Sequence, residues 1–232
     1  MNRYTKYIAE IAASLGNGHL RLRLVYCNSC MRRTPFLVSG TESRSIRCLR
    51  CRSTAISLAT LAQIQRLPLD PNTSRVYELS YHGAVHRHLK RRFAHFECSE
   101  YFGPPAGGAY VNDIRNEDVQ RLSFASETFD LVSSTEVFEH VPDYLAGFAQ
   151  VRRVLRPAGW FVFTVPYFDA QQTKPVAALK ADGTLAWHGT PEYHDSQVTG
   201  VASVPVFWHH AKRQLPQDLM QVGFSHAELV ST

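Results

Sequence analysis

The sequence predicts an α/β domain built on a mostly parallel sheet with helices on both faces, preceded by a small cysteine-bound module. Three observations carry this. Residues 118–167 read strand, turn, helix, turn, strand. Two Cys-x-x-Cys pairs, Cys27/Cys30 and Cys48/Cys51, stand upstream. The charge changes sign between the two parts: residues 1–74 hold 11 Lys/Arg against 3 Asp/Glu, a net of +8, whereas residues 75–232 hold 14 against 17, a net of −3. The break falls near Pro68-Leu69-Asp70-Pro71-Asn72-Thr73.

Length and composition bound the reading. A chain of 232 residues with 44% hydrophobic content accommodates one domain of ordinary size plus a small appendage. No apolar run approaches the roughly 18 residues of a membrane span. Arg3, Lys6 and Glu10 interrupt any signal-peptide pattern, so a cytoplasmic location and no membrane partner are expected.

In chain order, residues 1–24 form a first unit. Tyr4, Tyr7, Ile8, Ile11, Ala12 and Leu15 share a helical stripe that Gly16-Asn17-Gly18 ends. Residues 25–74 form the second. Cys27-Asn28-Ser29-Cys30 and Cys48-Leu49-Arg50-Cys51 are separated by seventeen residues, the pattern of a zinc ribbon, in which each pair presents two thiolates to one tetrahedral ion. Disulfides are the competing reading, disfavoured in a reducing compartment. Four thiolates leave no open coordination position, so Zn²⁺ here is expected to be structural. The stretch between the pairs fits a hairpin turning near Ser39-Gly40-Thr41. Ser53–Leu67 then reads as an amphipathic helix, N-capped by Ser53 or Thr54 and stopped by Pro68.

Residues 75–232 form the main domain. Expected strands are Arg75–Ser80, His95–Tyr101, Tyr110–Ile114, Thr128–Ser134, Trp160–Val165 and Phe224–Val230; expected helices are Ala84–Phe93, Tyr144–Leu155 and Leu215–Val222. Arg156-Pro157-Ala158-Gly159 stops the second of these helices. Strand–helix–strand over 118–167 makes a right-handed crossover between parallel strands, and such sheets bind ligands outside their carboxyl ends.

Those segments also carry a resemblance. DVQRLSF, FDLV, VFEHVPD and RRVLRPAGWFVFTVPY, in that order and spacing, resemble class I S-adenosylmethionine-dependent methyltransferases of the type 11 group, and the preceding CxxC…CxxC module resembles one branch of it. The resemblance implies a Rossmann-like sheet and methyl transfer from S-adenosylmethionine to a small-molecule, sugar-like or natural-product acceptor. Two alternatives stand beside it: an RNA or protein methyltransferase gripping its partner through the basic ribbon, and a degenerate fold acting as a binding or scaffold subunit. The chain departs from the family pattern at its glycine-rich turn, where only Gly83 remains in Glu78-Leu79-Ser80-Tyr81-His82-Gly83.

Carried residue by residue, the resemblance puts Glu78 and Gly83 at the methionine moiety, Glu100 (Glu97 second) on the ribose hydroxyls, and Asp118 and Val119 on adenine, with Leu122 and Phe124 burying the ring. It puts Ser133, with Ser134 and Thr135, near the sulfonium. His140 is the candidate base; its alternative role is to brace the loop together with Glu139. Asp118 has the competing role of a helix cap. Residues 168–210 are a polar-aromatic insertion where the family builds its acceptor pocket, with Tyr167, Tyr193 and His194 as substrate-binding candidates. A second metal site from the insertion's His188, His194, His209 and His210 is a disfavoured alternative, since their spacings match no ligand pattern. Cys98 reads as a buried apolar position. Only one strand is expected after the last helix, which leaves the family's closing hairpin incomplete; the N-terminal helix or a second copy of the chain could cover the exposed edge.

Overall fold

The computed structural model describes residues 20–40, 45–105, 107–196 and 200–230. The helix expected over Arg3–Leu15 lies outside them. The first described unit is a three-stranded antiparallel sheet, β1 (Arg21–Cys27), β2 (Arg32–Val38) and β3 (Ile46–Cys48), in the order β1-β2-β3. Its minute core is Cys27, Cys48 and Phe36, against which Leu58 of the following helix packs. That helix, α1 (Ala55–Ile64), starts where Thr54 Oγ1 accepts the backbone N–H of Ser57 at 3.3 Å, a side-chain N-cap.

The main sheet has six strands in the order β6-β7-β5-β4-β8-β9. They are β4 (Arg75–Glu78), β5 (His95–Glu100), β6 (Ala109–Val111), β7 (Ile114–Asn116), β8 (Phe129–Thr135) and β9 (Leu155–Thr164), all parallel to their neighbours except β6. The period-two alternation of strand side chains divides the core. Val76, Leu131 and Val162 face one side, packing on α1 and on α2 (Gly83–Arg92) through Leu61, Ile64, Val85 and Leu89. Tyr77, Val132, Phe161 and Phe163 face the other, packing on α3 (Tyr144–Val154) and α4 (Leu215–Gln221) through Phe148, Val151, Leu215 and Leu219. Helices thus cover both faces of a Rossmann-like sheet. No helix among the described residues is long and apolar enough to cross a membrane.

Three expectations need correction. The strand expected at Tyr110–Ile114 is instead a tight hairpin, β6 and β7, turning through Asn112 (φ 48°) and Asp113 (φ 61°). Two left-handed residues suit a two-residue hairpin turn, and Asn and Asp tolerate that region best after glycine. The segment expected to begin a strand at Trp160 is already strand from Leu155. The register with β8 jumps from Phe129↔Leu155 to Leu131↔Trp160, so residues 156–159 are extruded as an irregularity instead of forming a separate loop. Phe224–Val230 forms no strand. After Gly223 (φ 101°) the chain turns over the helical face: Arg152 Nε donates to Gly223 O at 2.9 Å and Phe224 stacks on Phe161 at 6.0 Å. Packing on the core displaces that segment from the edge of β9.

The insertion folds as three small sheets: β10 (Tyr167–Phe168), β16 (Trp208–Ala211) and β11 (Lys174–Pro175) together; β12 (Ala177–Leu179) with β13 (Leu185–Trp187); and β14 (Tyr193–Ser196) with β15 (Gly200–Pro205). It grips the loop that leaves β8. Phe207 N donates to Glu139 O at 2.8 Å, and Trp208 Nε1 donates to the carbonyls of Val141 and Pro142 at 3.0 and 3.1 Å.

Candidate active site and cysteine cluster

Sheet order places β4 between β5 and β8, so the chain crosses in opposite directions from β4 and leaves a crevice at the carboxyl ends of these three strands. Glu78, Glu100 and Ser133 all sit there. Glu78 and Ser133 are register partners, both buried, and Ser133 Oγ donates to Glu78 Oε2. Burial pushes the Glu78 carboxyl up to about 7, against the opposing effect of the Ser133 hydrogen bond, and the nearby Glu100 charge adds to the rise.

A pH dependence follows. A carboxyl raised in the fold stabilises it fully below its ordinary value of 4.5, and that contribution is lost as pH rises through about 7. Glu78→Gln removes the loss. The difference in unfolding free energy between variant and wild type is expected to move by about 3 kcal/mol in the variant's favour between pH 4.5 and 8. Denaturant titrations at the two pH values check this; a pH-independent difference would refute the buried carboxyl.

Glu100 lies half-buried at the end of β5, its Oε2 3.5 Å from His82 Nδ1, while Glu97 is exposed. His82 occupies the N-cap position of α2 with no side-chain capping bond, and its Nδ1 lies 3.1 Å from Ser80 Oγ. Next to it Gly83 has φ 94°, and a Cβ built on it meets nothing within 4 Å, so its backbone borders open space. The loop after β7 is held by a buried brace that the sequence reading missed. Glu117 accepts from Arg115 Nε at 2.7 Å, from Ser123 N at 3.0 Å and from Ser123 Oγ at 2.5 Å. Next in chain, Asp118 Oδ1 accepts from Gln120 N at 2.9 Å and Gln120 Nε2 at 3.0 Å, as a helix cap does. Val119 packs beside Gly147 of α3, where an added Cβ would come within 2.9 Å of Phe138. Leu122 and Phe124 belong to the core; Phe124 meets Tyr77 and Phe129 edge-on at 4.9 and 5.0 Å. Cys98 is half-buried. At the ends of β8 and β9, the hydroxyls of Ser134, Thr135 and Thr164 are buried without a protein hydrogen-bond partner, so the crevice floor has polar capacity to spare.

On the loop after β8, the structure brings His140 and His194 together. His140 Nε2 lies 3.2 Å from His194 Nδ1, and the buried Glu139 Oε1 lies 3.6 Å from the first and 3.8 Å from the second. Of the other acceptor candidates, Tyr193 packs on Trp187 at 5.1 Å and Tyr167 lies under Lys212 Nζ at 5.8 Å. The sequence carried no signal for the His140–His194 meeting, since 54 residues separate the two.

The four ribbon cysteines converge, all reduced, with ligand atoms within 4.8 Å of one another. Cys27 and Cys51 sulfurs are 3.6 Å apart, and Cys30 and Cys48 sulfurs 3.9 Å. Sulfurs 2.3 Å from one tetrahedral centre would be about 3.8 Å apart, so the set fits a divalent ion and not two disulfides. The sulfurs are hydrogen-bonded: Cys30 N donates to Cys27 at 3.4 Å, and Ser53 Oγ pairs with Cys51 at 2.9 Å and Thr34 Oγ1 with Cys48 at 3.2 Å.

Residues 80–163 match the family model described as a methyltransferase domain. Over those residues the chain is similar to that domain. Relatives of this domain include the phthiotriol/phenolphthiotriol dimycocerosates methyltransferase of Mycobacterium tuberculosis, 37% identical over 70 residues, which are 30% of this chain and 24% of that protein. The ubiquinone biosynthesis O-methyltransferase of Rhizobium etli is 32% identical over 90 residues, 38% of this chain and 36% of that protein. The match thus spans between a quarter and a little over a third of these relatives. Among solved structures, an S-adenosylmethionine dependent methyltransferase from Mesorhizobium loti aligns with a TM-score of 0.46 at 19% identity, covering 72% of this chain and 81% of that one.

Proposed function

We propose that the protein is a methyltransferase that transfers a methyl group from S-adenosylmethionine to a hydroxyl of a small-molecule acceptor, with structural zinc in the ribbon. The observation that supports this most is the convergence of Glu78, Gly83, Glu100 and Ser133 on the switch-point crevice of a methyltransferase domain. The cofactor supplies an electrophilic methyl: the acceptor oxygen's lone pair forms the new C–O bond, the S–CH3 electron pair stays on sulfur, and the acceptor proton leaves.

The chain's own residues would do the rest. Glu100, a carboxylate able to accept two donors, would take both ribose hydroxyls. Asp118 and Val119 would flank the base. Glu78, with Ser133 on its Oε2, would sit beneath the cationic end of the cofactor. The cluster of Glu139, His140 and His194 would meet the acceptor, and β14–β16 would close over it and exclude water. Hydrogen exchange tests the assignment. Added S-adenosylhomocysteine should slow amide exchange in residues 78–83 and 100–102 and leave the ribbon unchanged; an unchanged crevice would contradict it.

A second reading has one feature in its favour. A groove of about 550 Å³ between the ribbon and α2 is lined by Arg50, Arg87, His88, Arg91 and Arg92 with no acidic residue, which suits a polyanion such as RNA. On that reading, binding of a short single-stranded RNA weakens steeply from 50 to 200 mM salt. Salt-independent or absent binding removes it.

A further inference from the structure

We propose that Glu139, His140 and His194 form a second metal site, which holds a divalent transition ion beside the acceptor and is distinct from the ribbon. The three facing atoms define a triangle with sides of 3.2, 3.6 and 3.8 Å. The circle through them has a radius of about 2.1 Å, which is the length of a zinc–nitrogen or zinc–carboxylate bond. An ion near the centre of that triangle would therefore reach all three ligands without rearrangement. Two imidazoles and one carboxylate are the ligand set of open sites that keep a position for water or substrate, in contrast to the closed tetrathiolate.

The surroundings also match. A metal-bound histidine is usually held by an acceptor on its other ring nitrogen, which fixes the tautomer. The carbonyl of Pro205 can only accept, so His140 donates Nδ1–H to it at 2.8 Å and turns the Nε2 lone pair toward the triangle. Behind His194, Nε2 lies 3.7 Å from Glu192 Oε1, and the other Glu192 oxygen is 2.7 Å from His209 Nε2. Binding would place the His194 proton on Nε2, facing that carboxylate. Glu139 is fixed by its backbone, whose carbonyl accepts from Phe207 N, and is buried at 1% exposure. The partly exposed His194 and Glu192 give the ion a path from solvent.

The site's place gives it a use. It sits on the loop leaving the carboxyl end of β8, where the acceptor is expected. A divalent ion there would coordinate the acceptor hydroxyl, lower its pKa and present the alkoxide, while the proton passes to solvent. That use rests on the methyl-transfer reading; the metal site itself does not. His140 then acts as a ligand and not as a base.

The test uses the full chain with its ribbon zinc in place. Mn²⁺ is titrated by calorimetry and by loss of the free-ion paramagnetic resonance signal, a hard ion that competes poorly for thiolates. One Mn²⁺ per chain is expected, with affinity reduced at least tenfold in His194→Ala and in His140→Ala. Glu192→Gln should weaken it by less. Added Co²⁺, read by its visible spectrum on wild-type protein, should report nitrogen and oxygen ligation without thiolate charge-transfer bands, a readout that needs no variant to fold. Absence of Mn²⁺ and Co²⁺ binding, or equal Mn²⁺ binding by wild type and both histidine variants, overturns the proposal. The same preparations are titrated with S-adenosylhomocysteine. Metal without nucleoside binding keeps the site and removes its role in methyl transfer, and nucleoside without metal binding overturns the site alone.

Discussion

Replacing Cys48 with serine should empty the ribbon of zinc and unfold it. The module has almost no other core: Cys27, Cys48 and Phe36 are its buried apolar residues, with Cys30, Ile46, Cys51 and Leu58 packed against them. Zinc binding by such small modules is worth about 10–16 kcal/mol and amounts to their folding free energy. Zinc content should fall from about one ion per chain to near zero in chelator-treated Cys48→Ser protein, and limited proteolysis should cut within residues 21–52. The main domain should survive, because its sheet and both helical layers are continuous without the ribbon. The ties it would lose include Gln65 Nε2 to Asn28 O at 3.0 Å, Arg87 to Cys51 O at 2.6 Å and Arg91 to Ser29 O at 3.4 Å. Nucleoside affinity should stay within about tenfold, since neutral and charge-assisted hydrogen bonds of this kind contribute about 1–3 kcal/mol each. A variant as protease-resistant as the wild type would refute the zinc assignment.

The second large effect falls on the cofactor. Glu100→Ala should lower affinity for S-adenosylhomocysteine by about 100-fold. Two charge-assisted hydrogen bonds at about 1.5 kcal/mol each give about 3 kcal/mol, and every 1.4 kcal/mol is tenfold. Glu97→Gln is the matched control, exposed on the same strand, and should change affinity less than twofold. Equal losses in the two variants would mean that the acid is acting through the general field of the strand and not by direct contact.

Much of this was legible in the sequence, for identifiable reasons. Segment 118–167 could be read because periodic apolar residues, an arginine-rich opposite face and a Pro-Ala-Gly stop all agree; α3 at Tyr144–Val154 falls within a residue of expectation. The Cys-x-x-Cys pairs could be read because a knuckle is a local object and its spacing is its geometry. The β6–β7 hairpin was misread as one strand because a two-residue turn without glycine gives a weak break in pattern. The final segment was misread because its apolar residues, Phe224 and Ala227, are spent on the helical face and not on strand pairing. The site divides the same way. Glu78, Glu100 and Ser133 lie at strand ends, and strand ends were readable. The His140–His194 contact joins a loop to an insertion of short strands, and nothing local in either segment specifies the other. Glu117 went unnoticed for a similar reason, since its brace depends on Arg115 and Ser123 folding back across a turn.

The crevice between β4, β5 and β8 is expected to bind the nucleoside cofactor although its glycine turn is reduced to Gly83. Isothermal titration of the zinc-loaded chain with S-adenosylhomocysteine tests it most directly. One site per chain is expected, its affinity weakened about 100-fold by Glu100→Ala. No heat of binding at high micromolar ligand, with the chain folded and its zinc in place, would contradict it.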